Sequence, residues 1–385
     1  MTKLRGLAWD HRRCWGPLEA SVPGWQASHP SVEISWDRRS LHAFGEAPLE
    51  AVLGAYDLVV YDHPFVGEIA EGGLMVPFDE HLSVEEKAFF ERDSVGKSWQ
   101  SYQRQGRQWA LPIDAACQVA SYRPDLLSGL GAIVPSSHRD VLALGRAARA
   151  RGKWIALPLV PTDAMCLILT FTNPPADGEE FVERAAVERA VGELRELAEL
   201  AHPLSPSWNP ILCYDHMVEE DDVVYVPFAF GYVNYAARTD PRRLAFADVP
   251  RPGAAGALLG GAGIGVSARS ANRDAAIAYA RHLGSPQIQR TSYVGAGGQP
   301  GSLQAWRDGE VNAATGNFFA DTLRTIQASY LRPTHAGFLA FFRDCAPRAA
   351  AAIAGELSAD ELWSYLERRY RESLGSGPAG RRRLA

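Results

Sequence analysis

Apolar positions along the first seventy residues arrive in short bursts that alternate with helical spacing. Residues 4–10 form an apolar strand that ends in Trp9-Asp10-His11, and residues 17–28 repeat apolar positions at the interval of a helix. Val32-Glu-Ile-Ser-Trp36 alternates as a second strand, and Asp37-Arg-Arg-Ser40 offers capping chemistry for the helix after it. Tyr56 to Asp62, YDLVVYD, is an unbroken apolar run of the kind a parallel sheet covered on both faces demands, and His63-Pro64 opens the next helix. Strand-to-helix units in this succession predict an α/β layer architecture.

Further on, residues 106–127, GRQWALPIDAACQVASYRPDLL, read as a short strand, a Pro-Ile-Asp crossing, a second strand and a helix start. A chain leaving one globular body for another does so through an extended, proline-stiffened segment. Asp114 is therefore expected at a cleft. The pattern then predicts a helix over 137–151, a strand over 154–160 and an apolar helix capped by Thr162-Asp163. A long helix over 187–201, a strand over 223–227 ending in the FAFGY of Phe228 to Tyr232, and an extended piece over 245–250 follow. Gly260-Gly-Ala-Gly-Ile-Gly265 has neither the spacing nor the following helix of a dinucleotide loop, and no Gly-Lys-Ser/Thr. It predicts instead a glycine-rich approach to a strand, where a backbone or a ligand comes close to Gly261.

In open α/β sheets ligands bind beyond the carboxyl ends of the strands. The residues at those ends are Trp9, Asp10 and His11, then Trp36, Asp37 and Arg38, then Asp62 and His63; Asp37 reads first as a helix cap. At 385 residues, 46% hydrophobic and 22% charged, the chain is long enough for two cores. A net charge of -6 gives no basic footprint for nucleic acid. Five dispersed cysteines without a Cys-x-x-Cys pair predict reduced, buried thiols and a reducing compartment. Met1-Thr-Lys-Leu-Arg5 runs into the first strand without the apolar core of a signal peptide, so the expected location is cytoplasmic as written, or periplasmic if a leader has been removed. No run is long enough for a membrane span, and residues 375–385 read as a flexible tail.

The aromatic strand, the Pro-Ile-Asp crossing and the Tyr122-Arg-Pro-Asp-Leu-Leu127 helix start resemble the first hinge of the extracellular solute-binding proteins, the carbohydrate-type binding proteins of ABC importers. The stretch from Ile264-Gly-Val through Ser270-Ala-Asn to the Gly297-Gly-Gln-Pro300 turn is similar to that family's second crossing. YDLVVYDHPFVGEIAEGGLMVPFDEHL and Leu357-Ser-Ala-Asp-Glu-Leu-Trp363 resemble its third strand and its terminal helix. The resemblance implies a two-lobed, type II periplasmic-binding-protein-like fold, each lobe a mostly parallel sheet flanked by helices. Residues 1–112 with 263–315 would form one lobe and 113–262 with 316–374 the other, closing as a hinge on a ligand between them. It also implies that Asp163, Tyr214, Phe228, Phe230 and Tyr232 face the cleft from the second lobe.

Flat rings with carboxylates suit a polyhydroxylated ligand, whereas Arg38, Arg39 and His63 would equally clamp an acid. The expectation is a monomeric binding protein for a small polar solute, a carbohydrate or a hydroxylated acid. It would have no cofactor and no nucleic-acid partner, and would hand its ligand to importer membrane subunits if exported. Two alternatives stand beside it. One is an enzyme on the same fold, with Cys117 beside Asp114, Cys14 near His11 or Cys213 near His216 as nucleophile. The other is a metal-binding variant in which Asp10, His11, Asp62 and His63 hold iron or zinc.

Overall fold

The computed structural model describes residues 1–47, 49–176, 178–251 and 256–375; the expected tail, but for Gly375, lies outside the described residues. The amino-terminal pattern becomes β1 (Thr2–Trp9), β2 (Val32–Arg39) and β3 (Leu58–Tyr61). β1 lies between the other two and pairs parallel with both. Parallel neighbours need a crossover, and the helix Arg12–Ser28 supplies the first. Leu58 and Val60 face one apolar cluster with Leu4, Ala8 and Ile34, while Val59 and Tyr61 face another with Met75, Tyr102 and Trp109. Side chains alternate along a strand, so one covered on both sides must be apolar throughout.

A two-residue-per-strand hairpin, β4 (Gln103–Arg104) and β5 (Arg107–Gln108), leads into β6 (Leu111–Tyr122). The Pro-Ile-Asp crossing, expected between separate strands, thus sits inside one strand of 12 residues. β7 (Trp154–Ile155), β8 (Val223–Phe230), β9 (Ala245–Ala247) and β10 (Leu259–Val266) complete the set. β7 is shorter than the expected 154–160 because Pro158 follows within three residues and has no N–H for a ladder. The first half of β6 pairs antiparallel with β10, the second half with β8 and β9. Pro112 is accommodated because the register shifts beside it: Gly263 faces Pro112, Ala262 faces Asp114, and Ile113 is the extra residue. At such a bulge the missing N–H of proline costs little. The strand order is β2-β1-β3-β10-β6-β8-β7, with β9 against β6.

β6 runs through successive apolar clusters. Leu111 and Ile113 pack with Leu4 and Ile264, whereas Ala115, Cys117 and Val119 pack with Tyr214 and Phe246, and Ala120 with Val224 and Phe341. The helices Pro161–Thr172, Arg184–Leu200, Phe338–Ile353 and Ala359–Leu374 pack together in the cluster that holds Ala120 and Val224. Trp306 and Val311 pack with Tyr214 and Phe246. The glycine-rich stretch 260–265 lies within β10, as a strand on which Tyr102 and Tyr61 rest their rings at Gly263 and Gly265.

Candidate functional site

The cavity that gathers the largest share of the expected residues has a volume of about 370 Å³ and opens where β1, β3, β6 and β8 meet. Trp9, at the carboxyl end of β1, forms one wall with Phe44, the two rings 4.6 Å apart. Phe230 and Tyr232, at and just beyond the end of β8, line it too, with Phe342, which the helix Phe338–Ile353 presents together with Leu339. Positions three apart share a helix face, which places these two residues of the aromatic stretch 338–342 on the cavity. The floor is backbone: a Cβ on Gly260 would meet the Phe230 ring at 2.7 Å, and one on Gly261 would meet the Asp114 carbonyl oxygen at 2.4 Å.

Two ion pairs and one lone carboxyl give the cavity its polarity. Arg13, in the first turn of the helix Arg12–Ser28, donates from Nε to Asp114 Oδ2 at 2.8 Å and from Nη2 to Asp114 Oδ1. Its Nη1 reaches the Gly231 carbonyl at 3.0 Å, and its guanidinium lies 4.7 Å from the centre of the Tyr232 ring. Burial disfavours the Arg13 charge, but the adjoining Asp114 carboxylate outweighs it and holds the guanidinium protonated above its ordinary range. Arg332 donates from Nη2 to Asp62 Oδ2 at 3.1 Å and from Nε to His63 Nε2 at 3.3 Å. His63 therefore carries its proton on Nδ1, 3.0 Å from Asp62 Oδ1. Burial, and then the Arg332 charge, depress the His63 pKa and keep the ring neutral. Asp62 is depressed as well, since Arg332 and His63 outweigh the burial that works against its charge. Asp163, in the first turn of Pro161–Thr172, is 7% exposed and its carboxyl has neither hydrogen bond nor ion pair among the described residues. Burial alone pushes it up to about 7.

Seven of the expected residues line this cavity: Trp9, Asp62, Asp114, Asp163, Phe230, Tyr232 and Gly261. The others have different work. β2 continues to Arg39, so Trp36 and Arg38 lie within the strand, opposite Gly6 and Ala8, and not at its end. Trp36 fills the space over Gly6; Arg38 stacks 4.0 Å from the Trp15 ring and bonds Glu19 at 2.6 Å. Asp37 does not cap a helix; it accepts from Arg5 and Tyr56, and Ser40 is the cap. Asp10 is exposed, and His11 is the N-cap of Arg12–Ser28, its Nδ1 accepting the Arg13 N–H. His63 stands behind Asp62, Phe228 is in the core against Phe171, and Tyr214 is buried with its hydroxyl on the Phe230 carbonyl.

Arg13 and Arg332 line the cavity without having been expected there. Arg13 had a usable signal, two residues beyond a strand-end cluster at a helix start. Arg332 had none, since its partner Asp62 is 270 residues away. The Gly297-Gly-Gln-Pro300 turn proves to be a brace: Gln299 donates from Nε2 to the Ala115 carbonyl and accepts the Val233 N–H at Oε1. It thereby fixes the residues beside Asp114 and Tyr232 to each other.

The metal set Asp10, His11, Asp62 and His63 is not gathered. Among the described residues the one trio with metal-capable atoms within 4.8 Å of one another is His202, His216 and Asp222. None of these lines the cavity. His202 Nδ1 accepts the Leu204 N–H, so its proton sits on Nε2 toward Asp222, which ties the trio internally. Cys14, Cys117 and Cys213 are buried, and burial raises each thiol well above its ordinary pKa.

Residues 48–319 match the sequence model of a family described as bacterial extracellular solute-binding protein. No curated protein matches the chain. Its fold is similar to the GacH receptor of Streptomyces glaucescens, solved unliganded and with acarbose, at a TM-score of 0.81 and 17% identity over 98% of this chain and 99% of that one. It is similar to an ABC transporter solute-binding protein of Thermotoga lettingae bound to α-D-tagatose, at 0.82 and 15% over 97% and 100%. The sugar-binding protein MalE of Xanthomonas citri gives 0.79 and 16% over 100% and 99%.

Proposed function

Because this chain belongs to the bacterial extracellular solute-binding proteins, we propose that it encloses a small polyhydroxylated ligand, a sugar or sugar alcohol, between two lobes and releases it unchanged. The observation that carries the ligand class is the pairing of aromatic walls with committed ion pairs. Trp9, Phe44, Phe230, Tyr232 and Phe342 line the cavity and offer flat faces to the C–H side of a ring. Both arginines of the cavity already hold a carboxylate, so a ligand acid finds no unpaired cation among the described lining residues. Hydroxyls, in contrast, find carboxylate oxygens to donate to. The volume is at the small end of the roughly 300–1,000 Å³ typical of ligand pockets, which fits one or two rings. Proteins of the same fold bind acarbose and α-D-tagatose, which supports the same class here. The lobes would turn about β6 and the strands beside it, with ligand passed to importer membrane subunits.

A thermal-shift and calorimetry screen of sugars, sugar alcohols and hydroxy acids tests this. Sugars or sugar alcohols should raise the melting temperature with saturation, be recovered intact by mass spectrometry, and lose affinity on Asp114→Ala. A response to hydroxy acids alone, or conversion of the ligand over time, would overturn the reading.

A further inference from the structure

We propose that the ligand carries an amino group that pairs with Asp163, making this the binding site of an aminated sugar or aminated sugar alcohol. The proposal rests on the polyhydroxylated-ligand reading and adds to it the charge at one position.

Asp163 differs from every other charged group of the cavity. Arg13 is held by Asp114, and Arg332 by Asp62 and His63. With two arginines and three aspartates on the lining, carboxyl groups outnumber cations by one, and the one left over is Asp163. It is more than nine-tenths buried, lines the cavity, and has no partner for its carboxyl among the described residues.

The titratable groups facing it are Cys166 on its own helix, Cys213 on Pro210–Glu219, and Tyr232 after β8. Thiols and a phenol are neutral or anionic, and burial keeps these neutral, so none supplies a cation. Arg13 and Arg332, on the other walls, are engaged by their own carboxylates. An unpaired buried carboxylate is costly, and the group takes up a proton in place of charging. A ligand hydroxyl would leave that situation unchanged. A ligand ammonium would let Asp163 ionise, with one proton passing from the carboxyl to solvent and the ion pair replacing it. Phe230 and Tyr232, on the same wall, would stack on the remainder of the ring.

The test uses matched pairs that differ only in the amine: glucamine with sorbitol, glucosamine with glucose, and an amino disaccharide with its neutral counterpart. Titration calorimetry of the whole protein at pH 6, in two buffers of different ionisation enthalpy, reads affinity and proton release together. The expected result is at least a tenfold preference for the amine within the pair that fits, release of close to one proton, and loss of both on Asp163→Asn, with the neutral member still binding. The inference is overturned, and the binding function left standing, if the neutral member binds as well as the amine or if Asp163→Asn weakens both alike, since Asp163 would then be a hydroxyl acceptor. Failure of every pair on both proteins would overturn the polyhydroxylated-ligand reading and this inference with it.

Discussion

Asp163 has a consequence for stability as well as for recognition. Its pKa rises from 3.8 to about 7 through burial. Between those values the folded protein holds a proton that the unfolded chain releases, so the contribution of this group to stability falls as pH rises through the window. The loss is on the order of 4 kcal/mol across it. His11 acts in the opposite sense, since burial and then Arg13 lower it to about 4 and stability from that group grows with pH. Asp163→Asn removes the first slope and keeps the second. Urea unfolding from pH 4 to pH 8 should therefore show the variant gaining on the wild-type protein up to about pH 7 and holding a constant lead above it. A pH-independent difference would rule out burial as the cause. Asp163 was legible as a cavity residue only through the family resemblance; the local pattern read Thr162-Asp163 as a helix cap, whereas the cap is Val160 and Asp163 lies in the first turn. Arg332 was not, because what places it in the cavity is a partner 270 residues away, and no local spacing records that; Arg13 left only its place two residues past a strand-end cluster, its partner lying 101 residues away.

At the level of elements, period and punctuation carried most of the fold. The run 56–62 announced a doubly covered strand, and the alternation 32–36 announced β2 but not its length, because Asp37 to Arg39 are polar on an edge where solvent takes them. That extension is what removed Trp36 and Arg38 from the site. The proline at 112 reads as a break, whereas the bulge against β10 absorbs it. β10 itself is shaped by close approach. Gly261 has φ +120, and a methyl there would lie 2.4 Å from one backbone atom of β6 and 2.9 Å from another. Gly73 ends the helix Val66–Gly72 at φ +58 with open space around it. Gly73→Ala should cost about 1 kcal/mol, the strain of a left-handed alanine. Gly261→Ala should cost about 2–4 kcal/mol, because backbone must also move. Denaturant midpoints of the two variants measure the contrast, and equal losses would show that β6 and β10 separate easily beneath the cavity.

For the whole molecule, the question is what a ligand must change. On the proposed division into lobes the cavity walls would come from both: Trp9, Phe44, Asp62 and Arg13 from the first, Asp163, Phe230, Tyr232 and Phe342 from the second. A ligand that touches both binds the closed arrangement better than an open one and shifts the population toward it by that difference in affinity. β6 is suited to the pivot, since it is continuous through both cores and its bulge lies next to Asp114. Arg13 spans the same boundary, bonding Asp114 on β6 and the Gly231 carbonyl beyond β8, so its bonds favour closure even before ligand arrives. A compact chain of this length has a radius of gyration of about 21 Å. Small-angle scattering of the ligand-free protein should give a larger value, and a saturating sugar or amino sugar from the screen should bring it down toward that figure. The same ligand added to Asp114→Ala should leave the scattering unchanged, because the pair that joins β6 to the first lobe's helix is gone. An identical radius with and without bound ligand would mean that the cavity fills without the lobes moving, and β6 would then be a rigid spine and not a hinge.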